Sequence, residues 1–157
     1  MTDGRMGWDR YFITIAQAVS LRGDCRRKQY GAIIVKDHKI IATGYNGVRA
    51  GQPGCLDGSC PRGLMSNEEV APYSSYDSGI GFCISSHAET SCLITANTDV
   101  RDSIMYVTGE PCFSCKKLIS ASGINEVIFV GENDQLWNWT ALQPPIPGAR
   151  DTVRHGI

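Results

Sequence analysis

Near the start of the chain, apolar residues return every three or four positions. Trp8, Tyr11, Phe12, Ile15 and Val19 keep that spacing and would line one face of a first helix. Arg22 and Gly23 follow as a cation in the last turn and a helix-ending glycine. The pattern then shortens. Gly31-Ala-Ile-Ile-Val-Lys36 and Lys39-Ile-Ile-Ala-Thr43 flank Asp37-His38, which predicts two strands joined by a tight turn.

From Gly44 to Ser86 periodicity dissolves into glycines, prolines and three cysteines, with only a turn suggested near Asn67–Val70. So long an irregular segment inside a compact domain is usually functional or tied down by something. Order returns at Ser86. The pattern predicts a helix from His87 to about Asn97 and a strand over Asp102–Thr108. A helix over Pro111–Ser122 ended by Gly123 and a buried strand over Glu126–Val130 follow. Strand, helix and strand with such short joints predict a right-handed crossover between parallel neighbours. Past Gly131, Trp137 and Trp139 are expected to pack on the body, Pro144–Gly148 to break the pattern, and the last ten residues to be loosely held. The expectation is one domain over residues 1–157, with a core at about 8–130 and a C-terminal extension over 131–157.

Composition narrows the class. A chain that is 42% hydrophobic and 20% charged is that of a soluble globular protein. The apolar run Val127-Ile128-Phe129-Val130 is too short to cross a bilayer, and no secretion signal opens the chain, so the cytoplasm is expected. A net charge of −1 lacks the broad basic face of a polynucleotide binder. The tight basic cluster Arg26-Arg27-Lys28 suits one phosphate group better than a long strand; a solvated helix end is the plainer alternative.

Cysteine is the compositional oddity, at 25, 55, 60, 83, 92, 112 and 115. An odd set leaves one thiol over in any disulfide scheme, and in a reducing compartment clustered cysteines bind metal or react. Two segments give the metal reading its shape: His87-Ala88-Glu89 and Pro111-Cys112-Phe113-Ser114-Cys115, each opening a predicted helix. Pro111 at the first helical position would place both sulfurs on one face of the first turn. The positive end of a helix favours thiolates. One imidazole and two thiolates make a three-ligand zinc set whose fourth position stays open for water. Glu89, two residues past His87, points elsewhere and is placed to carry protons. Alternatives remain. Ser86-His-Ala-Glu89 also fits a capping box, and a lone Cys-x-x-Cys could be a redox pair or half of a structural zinc site.

His-x-Glu with Pro-Cys-x-x-Cys is the signature of the zinc deaminases. The chain resembles the cytidine deaminase-like superfamily, and within it the deoxycytidylate (dCMP) deaminase family, over roughly residues 8–130. Trp8-Asp9-x-Tyr11-Phe12, Cys25 before basic residues, Gly31-Ala32, Gly44-Tyr45-Asn46-Gly47, Pro53-Gly54-Cys55, Cys60 and Cys83 carry the likeness beside the two metal segments. Gly-Tyr-Asn-Gly is the part that favours dCMP over the nucleoside and tRNA branches.

The resemblance implies a three-layer α/β/α fold around a mixed five-stranded sheet. It implies zinc on His87, Cys112 and Cys115, Glu89 as proton shuttle, and hydrolysis of dCMP to dUMP and ammonia. Asn46 resembles the substrate-contacting asparagine, with turn chemistry as its alternative. Arg27 falls where a phosphate contact is expected, with Arg26 competing. A small-molecule nucleotide substrate, a hexameric homo-oligomer, and dCTP and dTTP as effectors follow from the same likeness. Some family members carry a second, structural zinc. With Cys92 read as a buried helix residue, Cys25, Cys55, Cys60 and Cys83 would form a closed site pinning residues 55–83 to the first helix. His38 and His155 are read as turn and tail residues, not ligands.

Departures stand beside the match. Thr90-Ser91-Cys92-Leu93 replaces the familiar Gln-Asn-Ala-Ile, and Arg49 replaces a proline. Two other readings stay open: a deaminase of another or 5-substituted cytosine nucleotide or nucleoside, and a non-catalytic zinc-bound nucleotide-binding protein.

Overall fold

Strand β1 (Gly31–Lys36) is buried over its first five residues, and its alternate side chains enter two separate cores. Ala32 and Ile34 face one core, Ile33 and Val35 the other. A strand covered on both faces belongs in the middle of three layers. The computed structural model describes residues 3–71 and 74–140, and the backbone of 152–154.

Along the chain come α1 (Trp8–Ser20), β1, β2 (Lys39–Tyr45), α2 (Ala88–Thr95), β3 (Ile104–Val107), α3 (Phe113–Ser122), β4 (Glu126–Val130), β5 (Leu136–Thr140) and β6 (Thr152–Arg154). The sheet order is β2-β1-β3-β4-β5-β6. Only β3 and β4, joined through α3, run parallel. Strands β1 to β5 make the expected mixed five-stranded sheet, and the three-residue β6 adds a sixth at its edge. Phe12, Ile13 and Ala16 of α1 pack on Ile33, Val35, Tyr106 and Ile128. On the opposite face Ala88 and Cys92 of α2 and Cys115 and Ile119 of α3 pack on Ala32, Ile34, Met105, Val107, Val127 and Phe129. That second core is what brings the starts of α2 and α3 together.

Local chemistry explains the boundaries that matched. Asp37 (φ 50°) and His38 (φ 59°) both adopt left-handed backbone, the turn whose twist suits a two-residue hairpin. Gly123, at φ 87°, ends α3.

The first helix departs from expectation in two ways. Its buried face is Asp9, Phe12, Ile13 and Ala16, whereas Trp8 is 55% and Tyr11 45% exposed. Asp9 turns inward because its carboxylate accepts the Tyr106 hydroxyl at 2.9 Å, while Trp8 packs on Phe12 and on His38 of the hairpin. The helix ends on Leu21 with no cation in its last turn, and Gly23 lies outside the left-handed region. Gly23 matters for space instead: a Cβ there would sit 2.6 Å from Asn46 Oδ1.

The irregular segment contains, among its described residues, a single 3₁₀ turn (Arg62–Leu64) and the expected turn at Asn67–Val70. Reciprocal bonds between Ser66 and Glu69 hold that turn. Two arginines then tie the segment down. Arg27 donates to Met65 and Val70 carbonyls and to Asn67 Oδ1. Arg62, 3% exposed, donates to Ser75 and Gly81 carbonyls and to Ser74 Oγ.

Trp139 is fully buried and Trp137 packs against the same core, as expected of the tail. Residues 152–154 are not loose but pair with β5. Pro144–Gly148, His155 and the remaining end of the chain lie outside the described residues. No described helix is long and apolar enough to cross a membrane.

Candidate metal and substrate site

Each metal segment carries, at or near its start, an extended residue that caps a helix. His87 is the N-cap of α2 and Cys112 the N-cap of α3, with Cys115 in the first turn that follows. Pro111 therefore precedes the cap and is not the first helical residue. The effect expected of it survives, since the two sulfurs share the positive end of α3. His87 Nδ1 lies 3.4 Å from Cys112 Sγ and 3.5 Å from Cys115 Sγ. Zinc bonds of about 2.3 Å to sulfur and about 2.0 Å to nitrogen at tetrahedral angles require an N···S edge of about 3.5 Å. The three side chains are spaced for that ion. Among the described residues they form the one group of three or more metal-ligating side chains whose donor atoms lie within 4.8 Å of one another.

The charges agree with that fit. Hydrogen bonds from Cys115 and His87 draw the Cys112 thiol down to about 4. Cys115 is pushed upward by its bond to Cys112, by burial and by Glu89. Its bond to Cys112 raises His87. One negative charge is therefore held easily and a second is resisted. A divalent cation among the three removes that conflict.

Glu89 sits in the first turn of α2, 6% exposed, with Oε2 3.7 Å from Cys115 Sγ. Burial raises its carboxyl to about 7, a value suited to taking and giving a proton near neutrality. The capping box is not formed. The cap is His87 rather than Ser86, and no side chain bonds the cap backbone.

His87, Cys112 and Glu89 open on a cavity of about 550 Å³, with Cys115 buried behind them, within the usual range for small-molecule sites. Asn46 lines it, but its amide is engaged: Oδ1 accepts from Tyr30 N–H and the Nδ2 group donates to the Lys28 carbonyl, both at 2.9 Å. It thereby fixes the basic segment, and the second Nδ2 hydrogen is still available to a ligand. Arg27 lines the cavity as well, with its guanidinium clamped to the loop. Arg26 is exposed, donates to the Leu56 carbonyl and is absent from the cavity wall. Lys28 takes its place there, its ammonium 4.9 Å from the centre of the Tyr30 ring.

The description "Cytidine and deoxycytidylate deaminase zinc-binding region" matches residues 6–131. The chain belongs to this family. It is 43% identical over 130 residues to the deoxycytidylate deaminase of Mycobacterium phage D29, covering 82% of this chain and 98% of that one. It is 32% identical over 127 residues to the deoxycytidylate deaminase of Schizosaccharomyces pombe, covering 80% of this chain and 37% of that one. Its fold matches the crystal structure of dCMP deaminase from the cyanophage S-TIM5 in complex with dCMP and dUMP. The TM-score is 0.56 at 23% identity, over 76% of this chain and 78% of that one.

In this family member the four remaining cysteines of the expected second site, Cys25, Cys55, Cys60 and Cys83, all line the same cavity. Cys60 and Cys83 sulfurs are 3.9 Å apart, but no three of the four come within 4.8 Å of one another. Their sulfurs accept backbone N–H bonds: Cys55 from Arg26, and Cys25 from Arg27 and Lys28. Burial raises Cys55 to about 11. Burial also opposes ionisation of Cys60, yet bonds from Ile84, Gly63 and Arg62 outweigh it and lower its thiol. Cys92 is fully buried in α2, as expected.

Sequence reasoning missed several residues around the site. Thr90, noted only as a departure, places Oγ1 3.7 Å from Cys115 Sγ. Glu110 lines the cavity and pairs at 3.5 Å with Lys116, which is buried beside the metal segment. Tyr76 lies edge-on to His87. The proximity of Glu110 to Cys112 was one available signal and the place of Lys28 in the basic cluster another; Tyr76 offered none.

Proposed function

We propose that the chain catalyses zinc-dependent hydrolytic deamination of dCMP to dUMP and ammonia. The observation that carries this reading is Glu89 buried beside His87, Cys112 and Cys115, with His87, Cys112 and Glu89 lining one cavity, in a chain 43% identical to a deoxycytidylate deaminase along nearly all of that protein's length. When bound there, zinc lowers the pKa of a water in its open position towards neutrality. Glu89 accepts one proton of the attacking water and delivers it to N3, then takes the second from the hydroxyl now on C4 and delivers it to the exocyclic amine, so that ammonia leaves and the C4 carbonyl forms. The same ion would let Cys112 and Cys115 both be ionised, which the positive end of α3 alone does not achieve for Cys115. Asn46 and the basic segment it fixes face the sugar and phosphate, with Arg27 and Lys28 as the cations at the cavity wall and Arg26 behind them.

The phosphate assignment is tested by ammonia release from dCMP, deoxycytidine, CMP, dCTP and 5-methyl-dCMP. We expect dCMP to be used at least tenfold better than the nucleoside, the scale of one lost charge-assisted contact. Equal rates on both would remove the phosphate contact.

We also propose a structural zinc on Cys25, Cys55, Cys60 and Cys83. Its support is that all four cysteines line one cavity, that the Cys60 and Cys83 sulfurs lie 3.9 Å apart, and that backbone N–H groups bond the Cys55 and Cys25 sulfurs. Gly63 adds to it, since a Cβ there would lie 2.3 Å from Cys55 Sγ. Closing the site requires the sulfurs to draw together, to the roughly 3.8 Å edge of a zinc tetrahedron. Metal analysis of the purified protein should give two zinc ions per chain; one ion with full activity ends the idea. Our reading places the protein in the cytoplasm as a homo-oligomer, a hexamer by family likeness, with dCTP and dTTP as effectors. The exposed Trp8 and Tyr11 suit such an assembly.

A further inference from the structure

The two sulfurs of the metal trio are not supported alike. Cys112 is lowered by the Cys115 thiol, by His87 and by the Cys115 backbone N–H. Cys115, which is buried, is raised by Cys112, by burial and by Glu89, and the influence set against these is the Thr90 hydroxyl. Zinc takes both sulfurs as thiolates. The S–H bond that Cys115 gives Glu89 is then lost. Two oxygens face Cys115 Sγ at 3.7 Å, Glu89 Oε2 and Thr90 Oγ1. A thiolate has no proton to give, so an ionised Glu89 cannot bond it, whereas the Thr90 hydroxyl can donate.

A threonine hydroxyl inside a helix commonly bonds the carbonyl four residues earlier. For Thr90 that carbonyl is Ser86, which accepts the Gly47 N–H at 3.1 Å, and Oγ1 reaches across to α3 instead. The approach is set by packing, since Ala88 and Cys92 of α2 share one core with Cys115 and Ile119 of α3. Thr90 also stands where the familiar Gln-Asn-Ala-Ile has glutamine, so the hydroxyl belongs to this chain rather than to the motif. Partners bonded to a metal ligand orient it and tune its hold on the ion. We propose that Thr90 is a positioning residue whose hydroxyl hydrogen-bonds the Cys115 sulfur and holds it as a zinc-binding thiolate. This rests on zinc at His87, Cys112 and Cys115, the centre that the deaminase reading above uses.

The test is zinc affinity, by competition with a chromogenic chelator near neutral pH, in wild type, Thr90→Val, Thr90→Ala and Thr90→Ser. His87→Ala identifies the ion concerned, because it removes a ligand from this centre alone. Thr90→Val keeps the shape without the donor and should weaken binding of that ion by about tenfold or more, the usual scale for a group bonded to a metal ligand. Thr90→Ala should behave likewise, and Thr90→Ser, which keeps the hydroxyl, should stay close to wild type. With cobalt in place of zinc, the sulfur-to-metal charge-transfer band should move to lower energy in Thr90→Val and Thr90→Ala but not in Thr90→Ser. A thiolate without its hydrogen bond gives up electron density more readily, and any second metal site contributes equally to every spectrum. Zinc held as in wild type by both Thr90→Val and Thr90→Ala, or lost from Thr90→Ser as much as from them, overturns the proposal. Weakened binding with an unmoved band also overturns it, making Thr90 a packing residue. A His87→Ala protein that holds as many zinc ions as wild type, as tightly, refutes the metal centre itself and the deaminase reading with it.

Discussion

Glu89→Gln should lower turnover by a factor of about 10²–10⁴ while zinc stays bound. Glutamine keeps the shape of glutamate but cannot accept and return a proton, so the change isolates the proposed role. Position supports the separation from metal binding. Glu89 is buried, it lies outside the three-ligand group, and its Oε2 is 3.7 Å from Cys115 Sγ. The fold should tolerate the variant, because removing a buried carboxylate removes a desolvation penalty that burial already makes visible in its pKa of about 7. Steady-state ammonia release, metal content and a melting curve measured together separate the outcomes. Activity within tenfold of wild type would sink the shuttle role. Zinc lost along with activity would make Glu89 a metal-site residue instead.

Why Glu89 and the trio were readable from sequence, and Tyr76 was not, is a matter of distance along the chain. His87 and Glu89 share one helix start and Cys112 and Cys115 another, so their spacing alone sets which atoms meet. Only the joining of the two starts is long-range, and the β3–α3–β4 crossover made that legible too. The buried face of α1 fails the same standard. Its periodicity gives a stripe, but Asp9 turns inward for a hydroxyl 97 residues away, and nothing local marks that partner. Arg27 is a similar case. Its basic cluster suggested a phosphate, whereas its guanidinium reaches residues 65–70, contacts that no local pattern encodes. The irregular segment announced by its composition that something must hold it. Arg27 and Arg62 do so among the described residues, and composition could not name them.

Gly44→Ala should be strongly disruptive, and Gly47→Ala, in the same Gly-Tyr-Asn-Gly motif, close to neutral. A Cβ at Gly44 would lie 2.3 Å from Cys92 N, 2.5 Å from the Ala88 carbonyl oxygen and 2.7 Å from Cys92 Cα. All three are backbone atoms of α2, so no side-chain rotation relieves the overlap. The strand cannot retreat easily either, because Gly44 is paired with Ala32 of the fully buried β1. The helix must therefore move, and α2 carries His87 at its cap and Glu89 in its first turn. An N···S edge of 3.4–3.5 Å leaves little room for a shift before the zinc geometry is lost. Overpacking against backbone is expected to cost about 3 kcal/mol or more, a fall in Tm of roughly 6–12 °C for a chain of this size, with weaker zinc retention against a chelator. At Gly47 the nearest atom to an added Cβ is Asp24 Cβ at 3.5 Å, an ordinary contact. A Gly44→Ala protein that melts and holds zinc as wild type does would show that α2 does not need its close approach to β2. Equal damage from Gly47→Ala would move the motif's requirement from packing to the ligand it faces.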